Sequence, residues 1–199
     1  MGRPTGLEPA TPGTTNQCSN QLSYDRHYAL VKARALLKGE GPQLASEAAM
    51  FNPTVERFGY PATLVREYQH WLVLLRPGQV TAGSLVLAAK SDATAFGDLP
   101  AGAFTELGTA VAEIEATLRQ RVDYERINYL MLMMVDPNVH FHVIPRYAGE
   151  RSLAGIAITD QGWPGPPDLK SATALPEPAN VQARDELAAA WVHGKTDGS

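Results

Sequence analysis

Two histidines one residue apart, His140 and His142, sit in the string NVHFHVIPRY (138–147) and are the first candidates for chemistry. The string alternates polar and apolar residues, so it reads as a β-strand. Strand period two puts Asn138, His140, His142 and Ile144 on one face and sends Val139, Phe141 and Val143 to the other, toward a core. Two imidazoles then stand about 7 Å apart at the backbone and converge on one spot. Such a pair can ligate a metal, each ring giving one nitrogen. Alternatively, one imidazole attacks an electrophile while its neighbour binds charge or handles protons. A metal site needs a third ligand, usually His or a carboxylate. The nearest following acid, Glu150, lies beyond the strand end expected at Pro145, which counts against the metal. A third alternative is two half-buried histidines on a sheet with no chemistry. The flanking Asn138 and the Ile-Pro-Arg that follows weigh against it.

The elements that must position this pair can be read around it. YQHWLVLLRP (68–77) and VTAGSLVLAAK (80–90) have the β-branched and aromatic content of strands, and Arg76-Pro77-Gly78-Gln79 between them is turn chemistry, so the two predict an antiparallel hairpin. Residues 100–121 predict the clearest helix: Phe104, Leu107, Val111, Ile114 and Leu118 recur at spacings of three and four and make one apolar stripe. Asp98 stands just before it as a candidate cap. RINYLMLMMV (126–135) reads as a further, nearly all-apolar strand, in which Met131, Met133 and Met134 read as core. A short terminal helix is expected at about 180–192, and another at 27–38. Together these predict an α+β domain, an antiparallel sheet of about five strands with the 100–121 helix packed against it.

Composition bounds the function. The chain has 199 residues, 44% of them hydrophobic, enough to bury a core, and a formal net charge of −4. That balance lacks the electrostatic footprint of a general nucleic-acid binder but leaves room for a local anion site. The one cysteine, Cys18, excludes an internal disulfide and points to a reducing, cytoplasmic setting. No apolar run reaches the ~20 residues of a membrane span. Residues 1–49 read as a disordered or spurious N-terminal extension. SNQLSYDRH resembles peptides that arise when gene prediction runs through a transfer-RNA gene, which makes Met50 a candidate natural start. One folded domain is expected over 50–150, followed by a Gly/Pro-rich C-terminal segment over 151–199.

VDPNVHFHVIPRY resembles the signature of the histidine-triad superfamily of nucleotide hydrolases and transferases, in which three histidines alternate with apolar residues. Aligned on Ile144-Pro145-Arg146, His142 matches the third histidine and His140 the central one, and Asn138 stands where the first should be. Upstream, TAGSLVLAAKSDATAFGDLP resembles the family's glycine-containing hairpin, Gly83 matching the glycine and Lys90 the lysine, while Ser84 and Asp92 stand where many members carry His. The similarity covers about 66–147.

The resemblance implies a catalytic role for His140 and His142. The central histidine of the family attacks the α-phosphorus of a nucleotide, forming a nucleotidyl-histidine that water or another acceptor resolves; no metal or cofactor is required. It implies a small-molecule nucleotide substrate, dinucleoside polyphosphates first and nucleoside phosphoramidates next, and a homodimer, with no membrane partner. Asn138 and Lys90 become candidate substrate-binding residues, and Arg146 either meets phosphate or is solvated. Asn138 keeps amide donors but cannot act as an acid. The polar pair that many members place before the motif is replaced here by Met134 and Val135. A nucleotide-binding module with little turnover is the alternative. Trp71 is expected to pack in the core, and Trp163, in a Gly/Pro loop, either packs or reaches the site. His27, His70 and His193 are expected to be structural or exposed.

Overall fold

The structure, a computed structural model, describes residues 52–193. The expected helix at 27–38, the N-terminal extension with its candidate start at Met50, Cys18 and His27 lie outside the described residues. The first element, α1 (Pro53–Arg57), starts where Asn52 accepts a hydrogen bond from the Val55 amide at 3.1 Å, with Pro53 in the first turn. Then come β1 (Leu64–Glu67), β2 (Trp71–Leu75), the two-residue β3 (Gly78–Gln79) and β4 (Leu85–Ala89). The 22-residue α2 (Ala101–Val122) follows, then β5 (Arg126–Leu130) and β6 (His140–Arg146). The chain closes with β7 (Glu150–Leu153), β8 (Ile156–Thr159), β9 (Thr173–Ala174) and α3 (Ala179–Ala189).

The main sheet has five antiparallel strands in the order β1-β2-β4-β6-β5, as the α+β reading expects. β2 and β4 form the expected hairpin, although the turn residues Gly78 and Gln79 leave it to pair with β9. β2 and β4 are buried along their whole length, because both faces of the sheet are covered. On one face Trp71, Val73, Leu75, Leu85, Leu87 and Val143 pack under α2. On the other, Leu72, Leu74, Val86 and Ala88 pack under Val55 of α1, with Phe58 beside it. The C-terminal residues join the first core through Leu153, Ile158, Leu187 and Trp191. No helix among the described residues is long and apolar enough to cross a membrane.

Three local expectations are corrected. Asp98 does not cap α2: it lies in a 3-10 turn, and the helix begins after Pro100 with no side-chain cap. The stripe of α2 is turned toward smaller residues, so Ala103, Ala110, Ile114, Thr117 and Leu118 are buried while Phe104 is 41% exposed. Small side chains let the helix lie close to the sheet. The strand read over 126–135 ends at Leu130, and Met134 and Val135 lie exposed in the following loop rather than in the core. An apolar run without partners on both faces is not held in a sheet, whatever its propensity.

Gly83 illustrates how tightly the hairpin meets α2. Its φ is +81°, and a Cβ there would stand 2.8 Å from Val122 Cγ2 and 3.0 Å from Leu118 Cδ2. Strain and overlap add, so Gly83→Ala is expected to lower stability by about 2 kcal/mol or more, read as a shift of the urea midpoint.

Candidate functional site

β6 lies between β4 and β5, and its register fixes what surrounds the histidines. His140 pairs with Ala88 and His142 with Val86, so both imidazoles stand on the face that carries Leu72 and Leu74. The two rings meet edge to face with centroids 5.1 Å apart, and the Phe58 ring lies 5.5 Å from His140 and 5.6 Å from His142. His140 is fully buried.

The two ring nitrogens of His140 have different partners. Nδ1 lies 2.8 Å from the Asn138 carbonyl oxygen. A carbonyl can only accept, so Nδ1 carries the proton and Nε2 keeps its lone pair. Nε2 is buried and has no hydrogen-bond partner. In the tautomer that this contact selects, Nε2 is the acceptor nitrogen, and it is unspent. His142 is held neutral. Burial, then the Arg76 guanidinium, then His140 push its pKa down to about 4.

Asn138 is not aimed into open space. Its Oδ1 accepts from the Thr54 hydroxyl at 3.0 Å, and its Nδ2 donates to the Asp92 carbonyl at 3.1 Å. Its backbone amide also donates to Thr54 Oγ1 at 3.3 Å. One side chain therefore ties α1, the loop after β4 and the start of β6 together, and the carbonyl it steadies is the one that fixes His140. Asn52 reinforces this tie by donating to the Ala89 and Ser91 carbonyls, each at 2.8 Å.

The remaining candidates are dispersed. Lys90, just after β4, forms an ion pair with Glu67 at 2.6 Å. Arg146 is neither solvated nor open to phosphate: it is buried in a bidentate pair with Asp160 at 2.6 and 3.2 Å and donates to Asn128 and the Gly165 carbonyl, each at 2.9 Å. Ser84 is consumed by the turn, accepting from the Thr81 amide and donating to its carbonyl. Trp71 packs in the core and donates to the Ala103 carbonyl at 2.8 Å, while His70 lies against Gly102 and His193 is exposed. Among the described residues no three His, Cys, Asp or Glu side chains are grouped to hold a metal ion.

Sequence reasoning missed Thr54, Phe58 and Arg76. Asn52-Pro53 is a helix-start signal that could have located the first two. Arg76 read as a turn residue, yet its side chain is largely enclosed, donates to the Gly78 carbonyl and leaves Nε buried without a partner. Alternation along β2 places it on the face of Leu72 and Leu74. It brings a positive charge to neutral His142, which makes the site attractive to an anion.

This sheet, with a paired-histidine strand next to its edge, is the histidine-triad fold. A histidine triad protein from Marinobacter aquaeolei VT8 matches with a TM-score of 0.56 at 20% identity, over 72% of this chain and 97% of that one. One from Sinorhizobium meliloti 1021 matches at 0.54 and 21% identity, over 69% and 95%. A hypothetical histidine triad nucleotide-binding protein from Sulfolobus tokodaii strain 7 matches at 0.52 and 13%, over 69% and 88%. No protein-family model and no curated protein matches the sequence.

Two outcomes follow from the site. A histidine whose folded pKa is depressed contributes stability above its unfolded value near 6.5 and loses it as pH falls toward about 4. After allowance for solvent screening, the loss over that window is about 2 kcal/mol. Urea titrations from pH 7 to 4 should show it, and His142→Gln should remove that part of the pH dependence. Asn138→Ala leaves the Thr54 hydroxyl and the Asp92 carbonyl short of a partner. Thermal or urea unfolding should register about 2 kcal/mol of destabilisation.

Proposed function

We propose that this protein is a histidine-triad nucleotide hydrolase or transferase in which His140 attacks the α-phosphorus of a nucleotide. The observation that carries the reading is the unpartnered Nε2 of a His140 whose other nitrogen is fixed by the Asn138 carbonyl. A neutral imidazole with one nitrogen held as a donor offers its lone pair at the other, as covalent catalysis requires. Dinucleoside polyphosphates are the leading substrate class and nucleoside phosphoramidates the next.

The supporting groups have distinct tasks. Arg76 supplies positive charge for the non-bridging phosphate oxygens, and neutral His142 supplies a ring hydrogen-bond donor. Neither needs a metal beside it. Asn138 serves as a positioning residue rather than a direct phosphate ligand, because its side chain is engaged by Thr54 and Asp92. Lys90 keeps a supporting role at the strand end, screened by Glu67. The Phe58 ring packs against both histidines and gives the site an apolar wall. The same proposal takes the chain as a homodimer.

A second reading, a nucleotide-binding module with little turnover, is favoured by the full burial of His140. Incubation with a dinucleoside polyphosphate followed by intact-mass analysis separates the two. The catalytic reading expects a nucleotidyl adduct, released nucleoside monophosphate, and a fall of at least ~10³ in rate for His140→Ala. Turnover unchanged in that variant would sink the assignment of the nucleophile.

A further inference from the structure

Arg76 has more hydrogen-bonding capacity than its neighbours use. It directly follows β2, and its amide donates to the Ser84 carbonyl at 3.1 Å. Leu72, four residues earlier on the same face, pairs with Ala88, which pairs with His140. The backbones of Arg76 and His140 are therefore about 14 Å apart along the strands and about 10 Å across them. Nη1 of Arg76 donates to the Gly78 carbonyl, and Gly78 pairs with Ala174 of β9, so the guanidinium is pinned at this end of the face. Nε is buried and has no partner.

The charge of Arg76 is felt at His142 and at a phosphate on His140, but a hydrogen bond from Nε needs an acceptor of its own near β2. In-line displacement decides which part of a substrate can bring one. Nδ1 of His140 is held by a carbonyl of its own strand, and Nε2 is the ring nitrogen farther from the backbone, so its lone pair points away from the sheet. Attacking and leaving atoms stand on opposite sides of the phosphorus. The leaving group thus departs outward, whereas the retained nucleoside hangs on an oxygen at right angles to the line of attack and extends sideways across the face. Toward Asn138 that face is closed by the tie to Thr54, and on the β5 side the segment Trp163–Pro167 stands over Asn128 and Leu130. Toward β1 the row of His140 ends on Glu67, whose charge Lys90 cancels. The direction left runs over Val86 and Leu74 to Arg76.

A nucleoside extended that way brings its ribose toward the guanidinium. A ribose hydroxyl is neutral, and an enclosed guanidinium is completed better by an anion than by a neutral oxygen. With Nη1 spent on Gly78, Nε and Nη2 form the edge of the fork that takes two oxygens of one phosphate. We propose that the nucleotide attacked by His140 carries a second phosphate, on its ribose 2′ or 3′ oxygen, and that Arg76 binds it. The proposal rests on His140 as nucleophile. It makes Arg76 a specificity-determining residue that selects ribose-phosphorylated nucleotides over their plain counterparts.

The test uses three substrates that share the attacked phosphorus and an ammonia leaving group: adenosine 5′-phosphoramidate, its 2′-phosphate and its 3′-phosphate. A charge-assisted pair in an enclosed site is worth a factor of about 10 or more. One phosphorylated form is therefore expected to exceed the plain substrate in kcat/KM at least about tenfold, and its identity tells which ribose oxygen is read. Arg76→Met should abolish the preference, and Arg76→Lys, which keeps the charge without the fork, should retain part of it. Equal kcat/KM on all three substrates, or a preference that survives Arg76→Met, overturns the assignment. Calorimetric binding of adenosine 2′,5′-bisphosphate, adenosine 3′,5′-bisphosphate and AMP needs no turnover and separates the two proposals. Binding that gains from the extra phosphate and loses that gain in Arg76→Met, in a protein without measurable turnover, overturns the catalytic reading alone. Turnover with binding indifferent to the extra phosphate overturns the ribose-phosphate site alone.

Discussion

The contact between His140 Nδ1 and the Asn138 carbonyl is the constraint on which the site turns, because it decides which nitrogen of the ring is basic. A carbonyl two residues upstream is an unreliable acceptor if the chain before the strand can move. Here it cannot move freely. The Asn138 side chain is tied to Thr54 in one direction and to the Asp92 carbonyl in the other. The residue standing where the resemblance expects a first histidine thus acts through geometry. A histidine in its place would be larger and would have to satisfy both the Thr54 hydroxyl and the Asp92 carbonyl from one ring. Its ring nitrogens could be donor and acceptor, but at fixed separation and in a space shaped by an amide.

Electrostatics on the same face are arranged around a single uncompensated idea. His142 is kept neutral by burial and by Arg76, and the neutral form is the one that binds without raising the local positive charge. Arg76 itself carries a buried Nε with no partner. Leaving a guanidinium nitrogen dry and unpaired costs stability unless an anion completes it. Leu72, Leu74, Val86 and Phe58 make this face of the sheet apolar, and a low-dielectric surrounding is the condition under which one cation matters most.

How much of this was legible in the sequence follows from physical range. The alternation in NVHFHVIPRY placed both histidines on one face, and the structure has them there, because strand period is a local property. The α2 helix and the β2–β4 hairpin were legible for the same reason. Asp98 looked like a cap by residue type, but capping depends on where the chain enters the helix, and it enters at Pro100. The methionine run looked like a strand or core by hydropathy, and its fate depended on whether the sheet extended to cover it. It does not, and Met134 is 93% exposed. By residue type Arg146 reads as either meeting phosphate or solvated, whereas its partner Asp160 lies 14 residues on, in a loop whose path no local pattern specifies.

That last pairing shows how a polar residue can define structure at the far end of the histidine strand. β6 carries the histidines at one end and Arg146 at the other, all on one face by strict alternation. A segment made of Gly and Pro gains little from side-chain burial and has few amides to bond, so it would wander over the sheet unless anchored. The four contacts of Arg146 to Asp160, Asn128 and Gly165 anchor it, and they do so from within the histidine strand itself. Any shift of β6 in its register would reverse both sets of side chains together. The position of Trp163 over the sheet and the position of His140 beneath Phe58 are therefore consequences of the same register, and neither can be set without the other.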